Sequence, residues 1–356
     1  MTLPALDIFD PSSYPTRRDE EWKYSDLSRV LREAPKKAMV VRTLSELEAE
    51  PDGFVYFSAD EAGFDGLQQA ADFAMRKSHG RLYIDGNDFG DEDGYLGYQG
   101  RGEINLAAGQ ELVVFEDYTG AFDYAVHSHL RFALAEGAKL TRVVILDEPE
   151  SAVSVRQSTI ETAPGSVFKQ YVFSTGAKFQ RFETHVNHAG HGAVVEMNGA
   201  YLLKDKRHFD LTTRVNHAEI DGETAQLIKG LVKDTATGVF QGHILVEKGA
   251  DGTDARMRHQ ALILNDGAHI RAKPELEIYA DDVQCAHGNT IGALDEEALF
   301  FSMSRGIPEE TARAMLTHAF VLPVADQIED EVLRETVLNF LENASEGMKE
   351  ERANAL

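Results

Sequence analysis

Val167-Phe168-Lys169-Gln170-Tyr171-Val172-Phe173, opened by the turn Pro164-Gly165-Ser166, is the stretch on which the fold is decided. Its β-branched and aromatic residues behind a glycine turn read as a strand. Thr141-Arg142-Val143-Val144-Ile145-Leu146 upstream and Ala193-Val194-Val195-Glu196-Met197 downstream have the same character. Small-residue turns bound such strands at Gly137, Gly165, Gly192, Gly222, Gly249 and Gly267. The glycines are spaced by 28 (165 − 137), 27 (192 − 165), 30 (222 − 192), 27 (249 − 222) and 18 (267 − 249) residues. A recurrence in the range of about 20–50 residues is the mark of a solenoid with one supersecondary unit per repeat. The units are strands with no helical pattern between them, so a β-helix over residues 85–291 is favoured over a leucine-rich or βαβ array. A meandering antiparallel sandwich with evenly spaced turns fits the same spacing and stays open at this point.

Two flanks frame this zone. In residues 1–84, short helical and extended patterns mix. Thr16-Arg17-Arg18-Asp19 resembles a capping box, with Trp22, Leu27, Val30 and Leu31 as later apolar positions. Residues 292–356 read as helical: Asp295 is the expected N-cap of a first helix, and Gly306 its stop. Pro308 is expected at the first position of the next, where Ala312, Met315, Leu316, Ala319 and Phe320 form one stripe. In a third helix Ile328, Val332, Leu333, Val337, Phe340 and Leu341 are expected to face inward, before a frayed tail from Glu346. A β-helix exposes unpaired backbone groups at its ends, and these helices are expected to cap one.

Composition narrows the function classes. The 356 residues carry 35 Lys+Arg against 60 Asp+Glu, a net charge of −25. That field disfavours nucleic acid and anionic membrane as partners. Cys285 is the single cysteine, so an intrachain disulfide and a CxxC metal site are both excluded. Met1 to Asp7 lacks a basic n-region and an apolar h-region, so no secretory leader and a cytoplasmic location are expected. No G-x4-G-K-[ST], G-x-S-x-G or H-E-x-x-H occurs. Gly94, Gly97, Gly100 and Gly102 have the wrong spacing for a dinucleotide fingerprint and read as a loop.

The run Lys273-Pro274-Glu275-Leu276-Glu277-Ile278-Tyr279-Ala280-Asp281-Asp282-Val283-Gln284-Cys285-Ala286-His287-Gly288 resembles the C-terminal signature of the SufB/SufD family of iron–sulfur cluster assembly scaffolds. So do Thr290-Ile291-Gly292, Leu294 to Phe300, and Ser304-Arg305-Gly306-Ile307-Pro308. Pro15 to Tyr24 is similar to the opening motif of SufD-type chains, and Arg214-Val215-Asn216-His217-Ala218 with Lys229-Gly230 to the family's central rungs. SufB-type chains are longer and richer in cysteine, which places this sequence on the SufD side. Ala286 stands where serine is usual and Asn289 where alanine is usual.

The resemblance implies a right-handed parallel β-helix between helical domains, acting as a non-catalytic scaffold. It implies a heterodimer with a SufB-type chain, a SufC-type ATPase on the C-terminal helices, and a transient iron–sulfur cluster at the scaffold interface. A reduced flavin enters only as a group the whole complex would bind. A free β-helix edge would also pair with a second copy of the chain.

Within the signature, strand alternation from Asp281 would set Asp281, Val283, Cys285 and His287 on one face, neighbours about 6.6–6.8 Å apart. Thiolate and imidazole both suit iron, but clusters need about four ligands, so a second chain must contribute. Taken alone, such a pair is more often structural, since a free cysteine is a small buried hydrophobe. The resemblance makes His287 a ligand opposite the SufB cysteine and leaves Cys285 open. His185, His188 and His191 form H-x2-H-x2-H, which converges only on a loop; rung-edge positions are expected instead. The rival classes are a β-helix acyltransferase or carbohydrate-active enzyme, and a homodimeric metal binder using the His185 cluster.

Overall fold

The structure, a computed structural model, describes residues 6–37, 95–120 and 123–348, and the strand course alone of 54–57 and 79–85. The expected tail beyond 348, Gly94 and most of 38–94 lie outside the described residues. Among the described residues three strands come first: β1 (Lys36–Lys37), β2 (Phe54–Phe57) and β3 (His79–Asp85). After them run β4 (Leu96–Leu106), β5 (Glu111–Thr119), β6 (Tyr124–Leu134), β7 (Lys139–Asp147), β8 (Val153–Glu161) and β9 (Val167–Ser174). Next come β10 (Phe179–His188), β11 (Val194–Leu203), β12 (His208–His217) and β13 (Glu223–Val232). The series closes with β14 (Thr237–Val246), β15 (Asp254–Ile263), β16 (His269–Ile278) and β17 (Gln284–Gly292).

From β3 onward the chain passes alternately between two sheets. Face A has the order β1-β4-β6-β8-β10-β12-β14-β16, and face B the order β17-β15-β13-β11-β9-β7-β5-β3-β2. Every neighbouring pair is parallel, as in Phe182 beside Leu211 or Phe168 beside Val195. From β4 to β16, one turn advances the chain by 26 (179 − 153) to 32 (269 − 237) residues on face A. The result is the parallel β-helix expected, and the antiparallel alternative is set aside.

The corners show why the glycine series breaks. Gly109, Gly137, Gly165, Gly192 and Gly249, all at positive φ, sit where the chain leaves face A for face B. Gly176 and Gly267 occupy the opposite corner, so the short spacing of 18 (267 − 249) joins two different edges. In Asp221-Gly222 the left-handed residue is Asp221, at φ 57°. Gly222 is needed for another reason: a Cβ there would lie 2.7 Å from His217 Nδ1.

Between the faces, alternate residues interdigitate into one core that includes Phe132, Leu140, Phe168, Phe182, Val195 and Phe240. Apolar area removed from water, at about 25 cal/mol per Å², is the main gain of each rung. A charged cluster is embedded in it. Arg142 grips Glu116 with two nitrogens and reaches Ser158 Oγ at 2.6 Å and Gln170 Oε1 at 3.0 Å. Tyr118 donates to Glu116 at 2.6 Å, so the buried charge is matched and its lone pairs are filled.

Both outer faces are clothed. On face A, Leu6, Ile8, Trp22, Leu27 and Leu31 pack on Val153, Val155 and Phe179. Trp22 lies over Arg181 at 4.2 Å, and Arg181 bonds Asp210 at 2.6 Å. Asp19 accepts from the Thr16 N–H at 2.8 Å as a capping box does, but the box opens a 3-10 turn, Glu20–Trp22, and then the single turn α1 (Leu27–Val30). On face B lie helices α3 (Glu309–Ala325) and α4 (Glu331–Glu346), whose Val321, Val324, Val337 and Leu341 cover Tyr171, Phe173, Ala200 and Leu231. Tyr171 donates to Gln327 O at 2.9 Å, pinning the link between them. α2 (Glu296–Ser304) precedes them, with Asp295 Oδ1 accepting from Glu297 N and Ala298 N as expected of its N-cap.

Three expectations about the helices are corrected. The helices cover a flank and do not cap an end, because face B is apolar on its outer side as well as its inner one. That demand also turns α3: Ala312, Thr317, Val321 and Val324 are buried, whereas Met315 is 54% exposed, and Val332 of α4 is 73% exposed. Pro308 is the N-cap of α3, one position before the one expected. Among the described residues no helix is long and apolar enough to cross a membrane.

His188 and His217 stack inside the corner with ring centroids 4.5 Å apart. Burial pushes His217 down to about 3 and His259 to about 4, and lowers His188 as well. Below the ordinary histidine range the unfolded chain takes up protons that the folded chain refuses, so stability falls as pH drops from about 6.5 toward 4. His217→Gln is expected to flatten the pH dependence of the urea midpoint in that window; an unchanged slope would contradict the assignment.

Candidate functional site

The last turn of the β-helix is open. Among the described residues β17 is bonded only to β15, and β16 only to β14, so alternate residues of both direct N–H and C=O groups away from the β-helix. Ile278, Tyr279 and Ile291 border this end with 40%, 60% and 42% of their surface exposed. A bare edge of two strands with apolar residues beside it is an unfinished surface.

The register fixes what the edge displays. Cys285 stands on Ala255, His287 on Met257, Asn289 on His259 and Ile291 on Ala261. All four supporting residues are buried in the core, so this row of β17 continues the inward file of the helix. Cys285 and His287 therefore share a side, as alternation requires, with Cys285 half-buried against the core and His287 exposed. The strand begins at Gln284, later than the expected Asp281. Val283 still packs on the core, but Asp281 belongs to the exposed corner before the strand.

Cys285 is a free thiol. Burial pushes its pKa up, the Asp254 carboxylate adds to this, and a backbone hydrogen bond from Ala255 offsets part of it. The thiol is thus held protonated until a metal or a cation displaces the proton. Thiol sulfur and imidazole nitrogen are both donor types that suit iron, and two donors fall short of the about four that a cluster needs.

The three spaced histidines separate. His185 points outward on face A and bonds Glu183 at 2.7 Å. His188 points inward, its Nε2 donating to Glu223 O at 3.1 Å. His191 is exposed at the corner, 3.0 Å from Asp221 Oδ2. Among the described residues no group of three or more His, Cys, Asp or Glu side chains is placed to hold a metal ion.

A second exposed surface lies on the helices. Phe300, Phe301 and Met303 of α2 are 73%, 59% and 41% exposed, and Met315 of the adjoining α3 is 54% exposed. In the sequence the two Phe residues pass for ordinary helix positions, and the pair His259 and Asn289 goes unnoticed. Those two are bonded at 2.7 Å. Their separation of 30 (289 − 259) equals one turn on face B, the one signal the sequence offers for them.

Residues 89–320 match the family described as SUF system FeS cluster assembly, SufBD core domain. The chain is 30% identical over 240 residues to the iron–sulfur cluster assembly protein SufD of Escherichia coli (strain K12), covering 67% of this chain and 57% of that protein. It is 27% identical over 240 residues to the chloroplastic protein ABCI7 of Arabidopsis thaliana, covering 66% and 50%. A SufBD family iron–sulfur cluster assembly protein of Mycobacterium leprae is 29% identical over 249 residues, covering 68% and 63%. The matched segment thus spans between half and two thirds of these relatives' lengths.

In the isolated chain the raised thiol of Cys285 is expected to react with iodoacetamide at neutral pH more slowly than free cysteine, gaining rate only in more alkaline solution. A neutral rate equal to that of free cysteine would contradict it.

Proposed function

The chain belongs to the SufBD family of SUF iron–sulfur cluster assembly proteins, and on that premise we propose that it is a SufD-type scaffold that builds a cluster jointly with a second scaffold. The observation that carries this is the open terminal turn, whose inward file presents Cys285 and His287 at an unpaired edge. A SufB-type chain pairing with β16 and β17 would satisfy the free backbone groups and bring the remaining ligands to these two. His287 supplies a nitrogen donor. Cys285 supplies sulfur once deprotonated, on the core side of His287.

The division of labour runs along the chain. The β-helix, residues 85–291, carries the cluster site; the N-terminal unit, residues 1–84, braces face A through Leu6, Ile8, Trp22, Leu27 and Leu31; residues 292–356 receive a SufC-type ATPase. Phe300, Phe301, Met303 and Met315 give that docking surface its apolar centre. The sequence carries no phosphate-binding loop of its own, so nucleotide belongs to the partner. Closure of two ATPase subunits would pull on both scaffolds through α2 and α3 and remodel the shared edge. The chain would act as a non-catalytic, cytoplasmic subunit whose edge also accepts a second copy of the chain when SufB is absent. Turns of 26 (179 − 153) residues or more set it apart from the hexapeptide repeat of the acyltransferase alternative.

Two experiments test it. Co-expressed with SufB- and SufC-type partners, the His287→Ala chain is expected to form an intact complex with a greatly reduced yield of cluster, read from visible absorption. A complex that fails to assemble would make His287 a packing residue. Phe300→Asp combined with Met315→Asp is expected to release the ATPase in pull-down while leaving the scaffold pair intact; retention of the ATPase would move its site elsewhere.

A further inference from the structure

We infer that Asn289 donates a hydrogen bond to a sulfur of the group held at Cys285 and His287, and that His259 is the positioning residue that aims it. This rests on the reading above and adds a contact to the same site. Asn289 lies two residues beyond His287 on the same inward file, about 6.6–6.8 Å further along the strand. Its side chain is exposed at the open end and is bonded to His259 on the core side.

The chain of hydrogen bonds behind it has one direction. Tyr201 is fully buried, and its hydroxyl lies 2.9 Å from His259 Nε2. A buried O–H left without an acceptor costs about 1–3 kcal/mol, so the phenol donates to Nε2 and the imidazole proton resides on Nδ1. Nδ1–H then donates to Asn289 Oδ1 at 2.7 Å. A half-turn of the His259 ring would set carbon where nitrogen now meets Tyr201 and Asn289, losing both bonds. The ring plane is held near parallel to that of Phe240, at 5.0 Å and 15°, and to that of Tyr201, at 6.2 Å and 18°.

With Oδ1 bonded to His259 on the core side, the planar amide directs its NH2 away from that ring, in an exposed residue two positions from His287. The group there offers sulfur, as sulfide or as a partner's thiolate, and N–H donors to sulfur tune clusters of this kind. Nothing is transferred in this contact. It fixes orientation and stabilises negative charge on sulfur.

The test separates donor from tether. Asn289→Asp keeps an acceptor for Nδ1–H and removes the donor; Asn289→Ala removes both; His259→Phe keeps the ring and frees the amide. In the complex with SufB- and SufC-type partners, loss of iron to a chelator is expected to be roughly tenfold faster for Asn289→Asp than for wild type. His259→Phe should accelerate loss only while Asn289 is present, so the double variant with Asn289→Ala is no faster than Asn289→Ala alone. In the metal-free chain, NMR of isotope-labelled histidine should show His259 protonated on Nδ1. Chelator loss unchanged in Asn289→Asp, or a proton on Nε2, overturns the inference while leaving the scaffold reading intact. A wild-type complex that holds no cluster overturns both.

Discussion

The parallel backbone ladder from one turn to the next is the interaction on which this molecule depends. Each strand is satisfied by the turn before it and the turn after it, as β10 is by β8 and β12. The final turn has a predecessor only. The open edge at β16 and β17 is therefore no local peculiarity of those strands. It is what remains when a structure built by stacking stops.

The surroundings of the ladder decide which surfaces stay free. Apolar residues on the outer sides of both faces recruit the flanks: Val153, Val155 and Phe179 hold the N-terminal segment, and Tyr171, Phe173 and Leu231 hold α3 and α4. Charged ties extend the N-terminal brace along face A, with Arg214 bonded to Glu21 at 2.7 Å and Lys273 to Glu20 at 2.8 Å. Because these elements are committed to the flanks, none closes the end, and Cys285 and His287 remain at a boundary. The same arrangement leaves α2 and one side of α3 bare. One surface suits a strand-pairing partner and the other a helix-docking one.

The fold was legible because its signals are local and repeat. Strand composition at Val167–Phe173 and glycine corners near every turn survive in any single repeat. The orientation of the C-terminal helices was not legible, since the stripe through Met315 and the one through Thr317 and Val321 look alike until face B selects one. The site was half legible. Alternation placed Cys285 with His287 correctly, but the strand's start at Gln284 depends on the corner geometry of Asp281 and Asp282. The link of His259 to Asn289 needed the register, because residues one turn apart carry no mark of contact in the sequence itself.

Amide hydrogen exchange of the isolated chain, with and without a SufB-type scaffold, tests the central claim most directly. The account predicts that amides in His269–Ile278 and Gln284–Gly292 exchange readily alone and become protected on pairing, while those of β10 and β12 are unchanged. Protection appearing on the flanks instead, with the terminal turn still exchanging freely in the complex, would contradict it.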